Sequence, residues 1–337
     1  GILLCIFFAM DTVGGLDKIL AVLPDSRRQA VDWSSGLQGA GGAPFWAFVL
    51  GGFFLYTAYY GADQSQVQRE LSARTTAETK ISLILNGFAR FPLTALYVFM
   101  GMAIWAVYQA SPALIEDIPF GQPDYMVPHF VVQFIPAGLR GLIFSALLAA
   151  AMSSLDSALN SLSAATMKDF VEPRVRNKRH LLRYSKISTV VWGILVTGFA
   201  FLVGDISDTV IESINKIGSA FSGPILATFI VGVLSRRANA VDILAGLVAG
   251  VGLNLILWQF CPFVHWMWWN AFGFLMTAGL AGILSLFTAR PAAEVIAQYT
   301  LFGSAVLQET EKKWLPVYGG LVFYFLFMLG ILVIISR

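Results

Sequence analysis

From Gly141 to Met167 the chain reads GLIFSALLAAAMSSLDSALNSLSAATM, an apolar run whose centre is interrupted by Ser153, Ser154, Asp156, Ser157, Asn160 and Ser161. At 1.5 Å of rise per residue a helix of this length extends about 40 Å, more than the ~30 Å of hydrocarbon in a bilayer. Asp156 is its only charged residue. A charge near the bilayer midplane costs at least about 2.5–3.5 kcal/mol, so it persists there only with a partner or a purpose. The stretch therefore reads as a membrane-spanning helix that holds polar groups at mid-depth.

The rest of the chain has the same character. Of its 337 residues 57% are hydrophobic and only 12% charged, against about a quarter charged in soluble domains, which excludes an ordinary soluble enzyme. Long apolar runs with 14% aromatic residues are the opposite of the low-hydrophobicity signature of disorder. The 22 basic and 20 acidic residues leave a net charge of +2, so no nucleic acid partner is expected. Three histidines, none beside a polar membrane cluster, argue against a membrane enzyme. Cys5 and Cys261 lie far apart in apolar surroundings and read as buried small hydrophobes, not as a disulfide or metal pair.

Apolar segments long enough to cross a bilayer occur at 44–62, 82–108, 139–165, 187–203, 209–234, 240–260, 264–288 and 314–335, about eight complete helices. Backbone groups cannot go unpaired in lipid and no barrel alternation is present, so the expected architecture is an all-α polytopic helix bundle. Gly1–Met10 is apolar but too short to span and has no basic leader. It reads as the tail of a helix begun upstream, which makes the chain a piece of a larger membrane protein. Alternating the connections puts 15 Lys and Arg on one side, among them Arg69, Arg74, Lys80, the run from Lys168 to Lys186, Arg236, Arg237, Arg290, Lys312 and Lys313. The other side holds 5: Lys18, Arg27, Arg28, Arg140 and Arg337. The rule that positive loops stay inside makes the first group cytoplasmic and predicts a multi-pass protein of the cell membrane.

The external loop 109–138 has no Lys or Arg but five prolines among apolar residues, and is expected to fold back over the bundle as a cap. Trp258, Trp266, Trp268 and Trp269 cluster at another external turn, as an interfacial anchor would.

Three membrane segments hold residues that do not belong in lipid. In the first, Ala150, Ser153, Ser154, Ser157 and Ser161 fall on one helical stripe with Asp156 at its edge. Small residues on a stripe allow close helix packing; hydroxyls beside a carboxylate also supply the hard oxygen ligands a small cation needs, and both readings stand on the residues alone. In the second, Gly51, Gly52 and Gly61 weaken the helix 44–62, whose Tyr56, Tyr59 and Tyr60 are core filling or solute contacts. The third set comprises Asn86 and Arg90, then Glu212, Asn215 and Lys216 on a helix that Pro224 should kink. Arg90 either snorkels or serves a buried role. Glu212 and Lys216 have the spacing of a helical ion pair. Gly246 and Gly250 form a small-xxx-small packing motif.

Two of these segments match a known pattern. The segment from Gly138 through Ser153-Ser154-Leu155-Asp156-Ser157-Ala158-Leu159-Asn160-Ser161 to Asp169 resembles the signature of the sodium:solute symporter family. Asp63-Gln64-Ser65-Gln66-Val67-Gln68-Arg69 resembles the family's D/N-Q-x-x-x-Q-R segment at the inner end of the sixth core helix. The resemblance implies a leucine-transporter-like inverted-repeat fold, with 1–10 the end of core helix five, 44–234 core helices six to ten, and 240–335 three additional helices of one truncated symporter domain. It implies sodium as coupling ion, bound by the Ala150 carbonyl and the Ser153 and Ser154 hydroxyls together with ligands on the first core helix. Asp156 and Ser157 are where some members place a second sodium. The implied solute contacts are Tyr56, Tyr59 as inner aromatic gate, Arg90 where sugar carriers have a lysine, and Asn215 where they have a glutamine. Tyr56 departs from the sugar carriers, which have a sugar-contacting asparagine there.

The resulting expectation is a sodium-coupled symporter importing a small organic solute, whether carboxylate, amino acid, sugar or polyol, across a lipid bilayer. The alternative is a solute-sensing membrane module of a larger signalling protein.

Overall fold

The computed structural model describes residues 1–22, 24, 33, 36–38, 44–116, 118, 123–175, 178–201, 209–301 and 313–335. The described residues form helices and their connections: α1 (Ile2–Val13), α2 (Leu16–Val22), α3 (Gly52–Gly61), α4 (Gln64–Leu71), α5 (Thr76–Ala110), α6 (Ala113–Glu116), α7 (Met126–Phe134), α8 (Ala137–Thr166), α9 (Leu181–Ala200), α10 (Val210–Leu234), α11 (Ala240–Phe260), α12 (Met267–Leu284), α13 (Ala293–Tyr299) and α14 (Leu315–Ile335). Among the described residues six helices are long and apolar enough to cross a membrane: Thr76–Ala110, Ala137–Arg174, Val210–Leu234, Ala240–Phe260, Met267–Leu284 and Leu315–Ile334.

Two of the eight anticipated spans are helical but fall short of that standard. The segment 44–62 is apolar helix over Ala47–Gly61, opening with a π-helical turn at Ala47–Gly51 before α3. The segment 187–203 belongs to α9, which begins earlier, so Arg183 and Lys186 dilute its first turns, while 202 and 203 lie outside the described residues. Likewise α5 starts at Thr76, not near 82, because Thr75 is its N-cap and accepts from the Glu78 amide at 3.2 Å. The basic positions Arg27, Arg28, Arg176, Lys312 and Arg337 also lie outside the described residues.

The chain divides into two compact units, Gly1–Arg28 with Ser72–Ser213, and Gln29–Leu71 with Ile214–Arg337. In the first, α1 and α2 pack along α5 around Cys5, Ala9, Ile19, Ile104, Val107 and Tyr108. The loop after α5 folds back onto this core: Ile118, Phe130, Val131 and Ile135 are buried in it. Tyr108 Oη donates toward the Met126 carbonyl at 3.2 Å and lies 2.6 Å from His129 Nδ1, which ties α7 to the end of α5. Arg140 closes the turn into α8 by donating from Nε and Nη2 to the Ile135 carbonyl at 3.3 and 3.2 Å. α8 pairs with α9 through Ser163 Oγ to the Ser185 carbonyl (3.1 Å) and Trp192 Nε1 to Thr166 Oγ1 (2.9 Å).

In the second unit α11 and α12 form a tightly packed antiparallel hairpin. Gly246 and Gly250 make this approach possible, because a Cβ on either would collide with Thr277 of α12. The packing role expected of that glycine pair is what the structure shows. α11 starts at a capping box: Asn239 Oδ1 accepts from the Val241 and Asp242 amides, and Asp242 Oδ2 accepts from the Asn239 amide (3.0 Å) and Thr288 Oγ1 (2.8 Å). Gly51 lies so close to the start of α12 that a Cβ there would meet the Met267 carbonyl, and Phe54 rests on Phe274 with ring centroids 4.6 Å apart. Trp258 stacks on Trp269 at 5.6 Å, while Trp268 Nε1 donates to the Gly36 carbonyl at 3.2 Å, so part of the tryptophan cluster is packing instead of a purely lipid-facing belt.

Candidate functional site

α8 carries the polar stripe, and its hydroxyls behave in two ways. Ser157 Oγ donates to the Ser153 carbonyl (3.1 Å), Ser161 Oγ to the Ser157 carbonyl (2.8 Å) and Thr166 Oγ1 to the Leu162 carbonyl (2.8 Å), the back-bonding by which a membrane helix satisfies its own hydroxyls. The Ser153 and Ser154 hydroxyls, one turn earlier, make no hydrogen bond among the described residues, and both side chains are exposed. Ala150 and Asp156 are exposed too, and Asp156 Oδ1 accepts from Asn160 Nδ2 at 3.2 Å. The stripe is thus buried and self-satisfied at its Ser161 end and open at Ala150–Ser154, where two hydroxyls stand in the hydrophobic part of a span.

Asp63, first residue of the second motif, is a helix cap. α3 ends with the Ala62 and Asp63 amides both on the Ala58 carbonyl, and Asp63 Oδ1 then accepts from the Ser65 amide (2.8 Å) and hydroxyl (2.5 Å) to start α4. The acidic residue of the motif therefore makes the break between two helices. Gln68 and Arg69 follow on α4.

Tyr56 and Tyr59 sit at i, i+3 on α3 with 52% and 39% of their surface exposed, and the Tyr59 ring meets Tyr60 edge-on at 5.0 Å. Arg90 is exposed on α5, about 15 Å by helical rise from Lys80, the nearest charge toward the helix start. That is further along the helix from its start than a count from 82 suggests. Its carbonyl accepts from Thr94 Oγ1 at 2.9 Å. Asn215 is half-buried on α10. Ala150, Ser153, Ser154 and Ser157 share one helix face, and Tyr56 and Tyr59 share another. Arg90 and the stripe belong to the first unit, the tyrosines and Asn215 to the second.

One polar cluster escaped the sequence reading. Asn254 on α11 and Asn270 and Thr277 on α12 are completely buried, together with Ser219 on α10. Asn254 Nδ2 donates to the Ala220 carbonyl (2.9 Å) and Asn270 Nδ2 to Ser219 Oγ (3.0 Å). Pro224 was the available signal, since a proline frees the carbonyl four residues earlier and something must fill it.

The model of the sodium:solute symporter family matches residues 1–250. The chain belongs to that family. It is 30% identical over 216 residues to sodium-coupled monocarboxylate transporter 1 of Homo sapiens, covering 63% of this chain and 35% of that protein. It is likewise 30% identical over 216 residues to the Homo sapiens sodium/iodide cotransporter, covering 63% and 33%. To the sodium/sialic acid symporter NanT of Aliivibrio fischeri it is 31% identical over 214 residues, covering 62% and 41%. The matched part is thus well under half the length of these curated relatives. Among solved structures, the substrate-bound outward-open state of a Na+-coupled sialic acid symporter superposes with TM-score 0.69 at 22% identity, covering 86% of this chain and 60% of that one. The sodium:solute symporter chain has that leucine-transporter-like fold, and its relatives are multi-pass membrane transporters.

Proposed function

We propose that the protein carrying this chain is a sodium-coupled symporter that imports a small organic anion by alternating access. The observation that carries the reading is the pair of unengaged hydroxyls, Ser153 and Ser154, on an open small-residue stripe inside a membrane span. With the Ala150 carbonyl they offer hard oxygen ligands at one level of α8, the donor set suited to sodium. Further ligands come from the first core helix of the whole protein. Asp156 and Ser157 are a candidate second position, one turn along.

For the solute, Tyr56 and Tyr59 provide stacking faces with polar tips, Asn215 a hydrogen-bonding amide, and Arg90 a fixed positive charge. Monocarboxylate, iodide and sialic acid, the cargoes named for the relatives, are all anions, which favours an anionic solute paired with Arg90.

Sodium does work in this scheme only by binding the outward-open state better than the inward one, because a ligand of equal affinity shifts no equilibrium. At about 100 mV, inside negative, and a tenfold gradient, one ion supplies roughly 2.3 kcal/mol from the potential and 1.4 kcal/mol from the gradient, enough for several-hundred-fold accumulation.

The test is uptake of labelled lactate, sialic acid and iodide by the full-length protein in liposomes, with inward sodium against inward potassium. Sodium-driven accumulation of lactate or sialic acid is expected; accumulation of iodide alone would overturn the organic part of the reading. Ser154→Ala is expected to raise the half-saturating sodium concentration at least tenfold with folded protein intact. Unchanged sodium dependence would remove the site assignment.

A further inference from the structure

α10 crosses the membrane with a proline in its interior. Pro224 has no N–H, so the Ala220 carbonyl four residues earlier loses its helical partner, and the pyrrolidine ring crowds that same carbonyl. In water the freed oxygen would be solvated. In hydrocarbon it must find a protein donor or remain a standing penalty. Asn254 supplies the donor: its Nδ2 is 2.9 Å from the Ala220 carbonyl and 3.5 Å from that of Ser219, from a position on α11 with no exposed surface.

The surroundings are shaped around this contact. A Cβ on Gly273 would fall 2.7–2.8 Å from Cδ and Cγ of Pro224, and one on Gly250 would fall 3.3 Å from Cγ, so two glycines make the socket for the ring. Gly223, beside the proline, lies against the backbone of Asn270. Asn270 Nδ2 in turn donates to Ser219 Oγ, one residue before Ala220. Both asparagines donate from their NH2 groups to α10, Asn270 also to the Met267 carbonyl of its own helix at 3.1 Å, while their Oδ1 atoms have no partner among the described residues. A side chain chosen for general polarity would satisfy both its ends; these are held by what they donate.

We propose that Asn254 is a positioning residue for α10: its amide donates to the Ala220 carbonyl the hydrogen bond that Pro224, lacking an N–H, cannot donate, and thereby fixes the rotation and depth of the helix that bears Asn215. Ala220 is five residues from Asn215, about 7.5 Å along the axis, so a shift at the clamp is transmitted to Asn215 with little helix between to absorb it. The clamp itself stands independently of the cargo. Its bearing on solute contact rests on the symport reading above.

The experiment is a double-mutant cycle on the full-length protein in detergent, with all of its native cysteines, Cys5 and Cys261 among them, replaced by alanine. Asn254→Leu, which keeps the branched heavy-atom skeleton but cannot donate, is expected to lower the melting temperature by at least about 2 °C. In the Pro224→Ala background, where residue 224 regains an N–H for the Ala220 carbonyl, the same substitution is expected to lower it by less than half as much. An equal loss in both backgrounds overturns the clamp.

Position is read separately, from the rate at which N-ethylmaleimide labels Asn215→Cys. Asn254→Leu is expected to change this rate at least threefold and Pro224→Ala to restore it. An unchanged rate, zero included, overturns the positioning role even where stability falls. Neither readout needs sodium or solute, so failure of sodium-driven uptake bears on the proposed function alone.

Discussion

In the proposed scheme Arg90 is the side chain that bears on the charge of the cargo. At about 15 Å along α5 from Lys80 it is too far from the helix start to be explained as a loop charge drifting inward. A guanidinium presents a planar fork that matches a carboxylate, which is the ground for pairing Arg90 with an anionic solute in the proposed scheme. Arg90→Lys is expected to keep transport with a solute half-saturation raised several-fold, since the charge survives but the planar fork does not. Arg90→Gln is expected to lose at least about tenfold in solute affinity, some 1.4 kcal/mol, while sodium half-saturation stays within twofold. Equal loss for anionic and neutral solutes in an uptake series would show that Arg90 acts on helix packing instead. Tyr59, which meets Tyr60 edge-on, is predicted to act on retention: Tyr59→Ala should weaken solute binding more than sodium binding when both affinities are measured in one mutant.

At the level of the helix, hydropathy located the segments well because burying backbone in lipid leaves helices as the only solution and makes their length a physical constant. The Ser153 to Ser161 stripe was equally legible, since its period is set by the helix itself. Three things were not. The break after α3 was placed by Asp63, whose identity as a cap depends on the chain turning there, a fact that spacing does not carry. The charged first turns of α9, which extend it back to Leu181 and dilute its hydropathy, and the π-turn at Ala47–Gly51 were not foreseen, because helix ends answer to capping and to neighbours such as Met267, not to mean hydropathy. Asn254 disappeared into the average of an otherwise apolar helix, and its meaning came only from Pro224 on another element. Gly250, by contrast, was read correctly and yields a strong expectation. Gly250→Val would drive a branched side chain into Thr277 and the Gly273 carbonyl, so the α11–α12 hairpin should separate locally. A fall in melting temperature of several degrees, well beyond that of Gly252→Val where a Cβ meets open space, is the expected result in detergent thermal unfolding.

For the whole molecule the informative quantity is the distribution of charge. Fifteen basic residues on one set of connections against five on the other would be a weak statement about a soluble protein; across a bilayer it selects one of two insertions. α11 offers the cleanest test, because Ala240–Phe260 is about 31 Å long, so its two flanks must emerge on opposite sides. The flank before it carries Arg236 and Arg237, and the flank after it carries the native Cys261, partly exposed among tryptophans. If the basic connections are cytoplasmic, Cys261 faces outward. In intact cells expressing the full-length protein with its other cysteines replaced, a membrane-impermeant maleimide is expected to label Cys261. In the Cys261→Ala background it should label Arg237→Cys only after permeabilisation. The reverse pattern would invert every assignment that depends on side, turning Tyr59 from a proposed inner gate into an outer one and making the loop 109–138, with Phe130 and Val131 packed into the core of the first unit, a cytoplasmic cover. Because the insertion is set by the sum of fifteen positives, replacing Arg237 leaves the orientation it reports intact.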